Sequence, residues 1–162
     1  MRKLFKRITA PIHLPFWWQD LILSLPRIAA GYLMTVEFGA PKFGLPWSES
    51  DRNLGFFEVA YWFPEDVSAY GGIFKAFPVF FAWMGAFSEG IGGIAWILGF
   101  QTRIFSFLLV CTMAVAAFAQ QWGNGLWSML PALGFLCLAL QLMIMGSGRF
   151  GLDYLLYKKL KP

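Results

Sequence analysis

Histidine and cysteine are nearly absent: the 162 residues include one His and two Cys. There is no CxxC and no Cys/His cluster, so no ligand set for zinc or an iron–sulfur cluster is written into the chain. His13 alone cannot supply a bis-histidine haem, and its ordinary reading is an interfacial histidine. Cys111 and Cys137 fall inside apolar runs, where a thiol behaves as a small hydrophobe. No metal site is expected. Charge is scarce too, at 14% Asp, Glu, Lys and Arg against about 25% in an average soluble chain. There is no glycine-rich dinucleotide fingerprint placed after a strand, no internal repeat and no low-complexity tract. The basic start MRKLFKR runs into Pro11 and Pro15 without a small-residue cleavage site, so a cleavable signal peptide is not expected.

What fills the chain instead is apolar: 58% hydrophobic and 19% aromatic residues, with a mean hydropathy of +0.58. Four runs are long enough to cross about 30 Å of hydrocarbon, at 21–38, 77–100, 104–122 and 127–145. Trp122 and Trp127 bracket a Gly-Asn-Gly turn, as belt residues at one membrane surface do. Only Gln101, Thr102 and Arg103 link the second and third runs, which makes them antiparallel neighbours. The expected fold is all-α: a transmembrane four-helix bundle over 21–146. A basic, aromatic interfacial lead-in (1–20) precedes it and a basic tail (147–162) follows.

The net charge of +4 does not mark a nucleic-acid face, because the cations gather at the chain ends: Arg2, Lys3, Lys6, Arg7, then Lys158, Lys159, Lys161. Their natural partner is the headgroup layer of the bilayer. Arg103 falls on the same side by span count, whereas the 39–76 connection carries more acids than cations. Both termini are therefore expected in the cytoplasm, with 39–76 as a long extracytoplasmic loop. A short amphipathic helix is expected near Leu54–Phe63. The loop's Trp47, Tyr61, Trp62 and Phe63 form a candidate docking surface.

Three ionisable residues lie within the expected spans: Arg27, Glu37 and Glu89. A charge near the bilayer centre costs about 2.5–3.5 kcal/mol even on lenient scales. Gly85, Ser88, Gly92 and Gly93 share a face with Glu89, and Ala30 and Gly31 flank Arg27, so the two helices can approach closely. An Arg27–Glu89 pair is one expectation; snorkelling of Arg27 to the headgroups is the other. Glu89 reads equally as structural glue or as a proton- or ligand-handling group. Glu37 is placed near the outer surface, solvated or paired with Lys42 or Lys75. Gln120, Gln121 and Gln141 are expected to bond between helices.

Several of these residues form a pattern. Arg27 and Gly31 precede Gly39-Ala-Pro-Lys42-Phe. Ser88-Glu89-Gly90-Ile-Gly92-Gly93 leads to Leu98-Gly99-Phe-Gln-Thr102-Arg103. The tail carries Gly146-Ser-Gly148-Arg149-Phe-Gly-Leu152-Asp153. Together they resemble the DoxX family of small bacterial membrane proteins, over most of 21–156. The resemblance implies a four-helix bundle, and it makes Lys42, Gly92, Gly93, Arg103, Arg149 and Asp153 the motif residues beside Arg27 and Glu89. Arg149 and Asp153, four apart, are expected to pair on a helical turn. Some relatives are subunits of thiosulfate:quinone oxidoreductase or of thiol-stress complexes; others are non-enzymatic.

Two functions follow. In the first, the chain is an accessory, quinone-interacting subunit of a membrane redox complex, with a buried Glu/Arg pair and its redox cofactor on another subunit. In the second, it is a non-enzymatic scaffold or chaperone that engages an envelope partner through the outer loop. A protein partner or a homo-oligomer is expected in either case.

Overall fold

A computed structural model describes residues 10, 12, 14–48 and 54–160. His13, the basic residues before position 10, Glu49, Asp51 and Lys161 lie outside them. Among the described residues, four helices are long and apolar enough to cross a membrane. The first is α1, Trp17–Leu33, which continues through a π turn at Met34–Gly39. Two short helices follow, α2 at Phe63–Ser68 and α3 at Gly72–Ala76. The other spans are α4 at Pro78–Leu98, α5 at Thr102–Val115 with a π turn at Ala116–Gln120, and α6 at Leu126–Met145. A last helix, α7, covers Leu152–Leu160. Among the described residues there is no strand, only an isolated bridge between Phe43 and Val59.

The chain punctuates itself. Pro78 opens α4 at the position where a missing N–H costs nothing. Gly99 closes it in the left-handed region at φ 63°. Within the bundle, α4 is the central element, gripped by α1 on one side and α5 on the other, with α6 packed along α5. One core gathers Met34, Trp96, Leu109 and Met113 between the spans. A second gathers Phe43, Leu45, Phe63 and Val67 against Ala82 and Ala86 of α4.

Through that second core the described parts of the 39–76 connection, 39–48 and 54–76, pack back onto α4. The expected helix at Leu54–Phe63 is not formed: Phe57 has φ 63°, and this stretch pairs its backbone with 42–44. Gly44 N–H donates to Glu58 O (2.8 Å), Phe57 N–H to Gly44 O (2.9 Å) and Ala60 N–H to Lys42 O (2.9 Å). A helix would leave those groups of 42–44 unpaired beside the core. The helix begins only at Phe63, which is buried rather than displayed. α1 also starts at Trp17, four residues before the expected span.

The contact between α1 and α4 sets the depth of everything else. Gly31 lies against Gly93 and Ile97, and Gly39 against Gly90, so close that a Cβ on Gly39 would stand 2.6 Å from Gly90 Cα. α1 therefore ends level with the middle of α4. The corner of the bundle beyond Gly39 is filled by residues 40–48 and 54–76.

Candidate functional site

Lys42 is delivered to mid-span by this arrangement. The π turn ends with Ala40 N–H donating to Thr35 O (2.9 Å), and Lys42 and Phe43 N–H both donate to Gly39 O. The Ser48 hydroxyl sits between the carbonyls of Ala40 and Phe43 and accepts the Leu45 N–H. So anchored, the Lys42 ammonium donates to Glu89 Oε2 at 2.7 Å. It also lies 5.0 Å from the centre of the Phe63 ring, within cation–π range. Glu89 is 3% exposed.

This pair forms part of the wall of a cavity of about 350 Å³ enclosed by α2, α3, α4 and α5. Phe63, Val67, Phe74, Phe81, Met84 and Leu108 make most of the wall apolar. Polar groups converge at a few points. Tyr70 enters from the turn between α2 and α3. Ser88 and Thr112 face each other from α4 and α5, with their hydroxyls 2.6 Å apart. Burial, and after it the carboxylates of Asp66 and Glu89, push the Tyr70 phenol up to about 12, so at neutral pH it is a donor. Phe80 and Phe107 line the cavity yet are more than half exposed. The cavity thus opens sideways between α4 and α5, toward the surface that lipid covers.

The expected Arg27–Glu89 pair is not formed. The Arg27 guanidinium lies against Gly99, ten residues beyond Glu89 and so about 15 Å along α4. It donates instead to Ser147 O (3.2 Å) and Phe150 O (2.8 Å), and is 1% exposed. Snorkelling is therefore excluded as well. Arg149 and Asp153 do not pair either, because α7 begins only at Leu152 and Arg149 precedes it in a turn. Arg149 Nε meets Asp20 Oδ2 at 3.0 Å, and its Nη2 donates to Leu14 O. Asp153 accepts the N–H groups of Gln101 (2.8 Å) and Thr102 (2.9 Å), capping α5 from across the chain.

Of the other motif residues, Gly93 gives α1 its close approach and Gly92 meets Leu109 of α5. Arg103 donates to Ile144 O at the end of α6. Glu37 is exposed and is not paired with Lys42. The motif thus divides in two. Lys42, Glu89 and the glycines build the cavity wall and its packing. Arg27, Arg149 and Asp153 bind the segment after α6 to the start of the bundle. Sequence reasoning missed Tyr70, Phe63 and the Ser88–Thr112 pair as members of the site. The only advance signal was the placement of Ser88 beside Glu89 on one helical face.

A family model described as DoxX matches residues 22–122, the stretch that holds the cavity. No curated protein and no solved structure matches the chain.

Proposed function

The chain belongs to the DoxX family and is a multi-pass integral membrane protein, and from that premise we propose that its cavity holds the ring of a membrane-dissolved quinone. The protein is on this reading an accessory, quinone-interacting subunit of a membrane redox complex. The observation that carries it is the Lys42–Glu89 pair in the wall of a sideways-open, apolar cavity. At about 350 Å³ the space is within the range of small-molecule sites. A bound quinone would accept two electrons and two protons, the electrons coming from a cofactor on another subunit. Lys42 and Tyr70 supply hydrogen-bond donors for carbonyl oxygens. Glu89 holds Lys42 in place and can pass a proton through it. The apolar wall keeps water away from both.

We assign the bundle to the bacterial cytoplasmic membrane with both termini cytoplasmic. Arg103, Arg149, Lys158 and Lys159 follow or flank the same ends of the spans, which supports this orientation.

Extraction of the protein purified from its own membrane tests the ligand. Quinone is expected in near-equal amount to protein, and a short-tailed naphthoquinone or benzoquinone is expected to bind. Lys42→Met should weaken that binding about 10–100-fold, the worth of a charged hydrogen bond. Wild-type protein that is folded, carries no quinone and binds neither analogue would sink the reading.

A further inference from the structure

Five Asp, Glu, Lys or Arg side chains lie within the four spans: Asp20, Arg27, Glu37, Glu89 and Arg103. The chain itself meets four of them. Asp20 has Arg149, Arg27 has the carbonyls of Ser147 and Phe150, Glu89 has Lys42, and Arg103 has the carbonyl of Ile144. Glu37 is different. It is exposed, and among the described residues no hydrogen bond or ion pair reaches it.

Its chain neighbours fix its depth. Phe38 packs edge-on against Phe135 of α6, with ring centres 5.5 Å apart, and Gly39 lies against Gly90 of α4. Phe135 is near the midpoint of α6 (Leu126–Met145), about 14 Å from either end at 1.5 Å per residue. Gly90 is likewise more than two turns from both ends of α4. Glu37 therefore faces outward near the middle of the spans, too deep for its short side chain to reach headgroups. A carboxylate against lipid at that depth is among the costliest arrangements a span can hold.

We propose that this face, Leu33 and Glu37 of α1 beside Gly134 of α6, is the docking surface for a transmembrane helix of a different protein that carries a Lys or Arg at mid-span. Charge complementarity selects the occupant. A second copy would bring Glu37 to Glu37 about a two-fold axis, and the spans offer it no free cation, since Arg27 is buried and Arg103 is engaged. Leu33 is exposed one turn before Glu37. Gly134, next to the Phe135 that Phe38 touches, has no heavy atom within 4 Å of where a Cβ would stand, so a helix can come close there. The inference does not rest on the quinone reading, since Glu37 is not among the residues that line the cavity.

The test uses the full-length protein, fluorescently labelled, in lipid vesicles. The probe is a Leu/Ala helix of about 20 residues with one central Lys, beside a matched peptide with Leu at that place. The Lys peptide is expected to associate about tenfold more tightly than the Leu peptide. Glu37→Gln should reduce the difference to less than about twofold while leaving thermal stability unchanged. Lys158→Met, an exposed position on α7 away from this face, should retain the preference. Equal association of the two peptides with wild type would overturn the proposal, as would a Lys preference that survives Glu37→Gln. Energy transfer between two labelled copies that is lost in Glu37→Gln would overturn it too, assigning the face to self-association.

Discussion

Glu89 is neutralised by a residue that lies outside every span. Lys42 follows the π turn that ends α1, and it reaches mid-depth only because Gly39 meets Gly90 and the 42–44 backbone is pinned by 57–60. Removing one member of such a pair strands the other. Lys42→Met or Glu89→Gln alone should lower unfolding stability in mixed micelles by about 2–4 kcal/mol, while the double variant recovers most of the loss. Two single losses that simply add would show that the pair does not act as a unit. At this scale the sequence picked out two charges that are buried, Arg27 and Glu89, and paired them with each other where the structure gives each a different partner. The cost of a charge in hydrocarbon is local and picks out Arg27 and Glu89 from composition alone. Which cation meets Glu89 depends on how far α1 slides along α4, and no single residue declares that.

At the scale of elements, small residues set the sliding position. A Cβ at Gly93 would stand 2.6 Å from Gly31 O and 2.7 Å from Thr35 N, backbone atoms that cannot step aside. Gly93→Ala should therefore push α1 and α4 apart and cost about 1–3 kcal/mol. Gly134→Ala meets open space and should stay within about 0.5 kcal/mol of wild type. Thermal unfolding of the two variants side by side separates packing from helix propensity. The four spans were legible because lipid demands runs of fixed length, and α4, α5 and α6 lie within a few residues of expectation. The 40–76 segment was not, because what shapes it is a handful of backbone pairs, Gly44–Glu58 and Lys42–Ala60 among them, which have no periodicity to read. Arg149 and Asp153 misled for a related reason. Spacing of four predicts a pair only inside a helix, and α7 starts between them.

For the whole molecule, the decisive joint is where residues 147–153 meet α1 and the α4–α5 link. Gln101, at φ 46°, has no capping side chain of its own, and Asp153 provides the acceptor for it and for Thr102. Asp153→Ala should cost about 1–3 kcal/mol at neutral pH by leaving two buried donors unmet. Burial pushes the Asp153 carboxyl above its usual range, against the lowering effect of those amides and of Arg27. A folded-state pKa raised above the roughly 3.9 of a free aspartate gives stability that is full below that value and lost as the pH rises through the folded one. Wild type should accordingly gain stability on mild acidification, a gain that Asp153→Asn lacks; identical pH profiles would remove Asp153 as its source. The joint also bears on biosynthesis. Arg27 lies in the first span, yet the carbonyls of Ser147 and Phe150 that receive it are made only after the fourth. Until then all four spans can be threaded into the bilayer with a guanidinium still unanswered. Insertion and closure are thus separate events in the life of this chain, and the short segment after α6 decides when the second one happens.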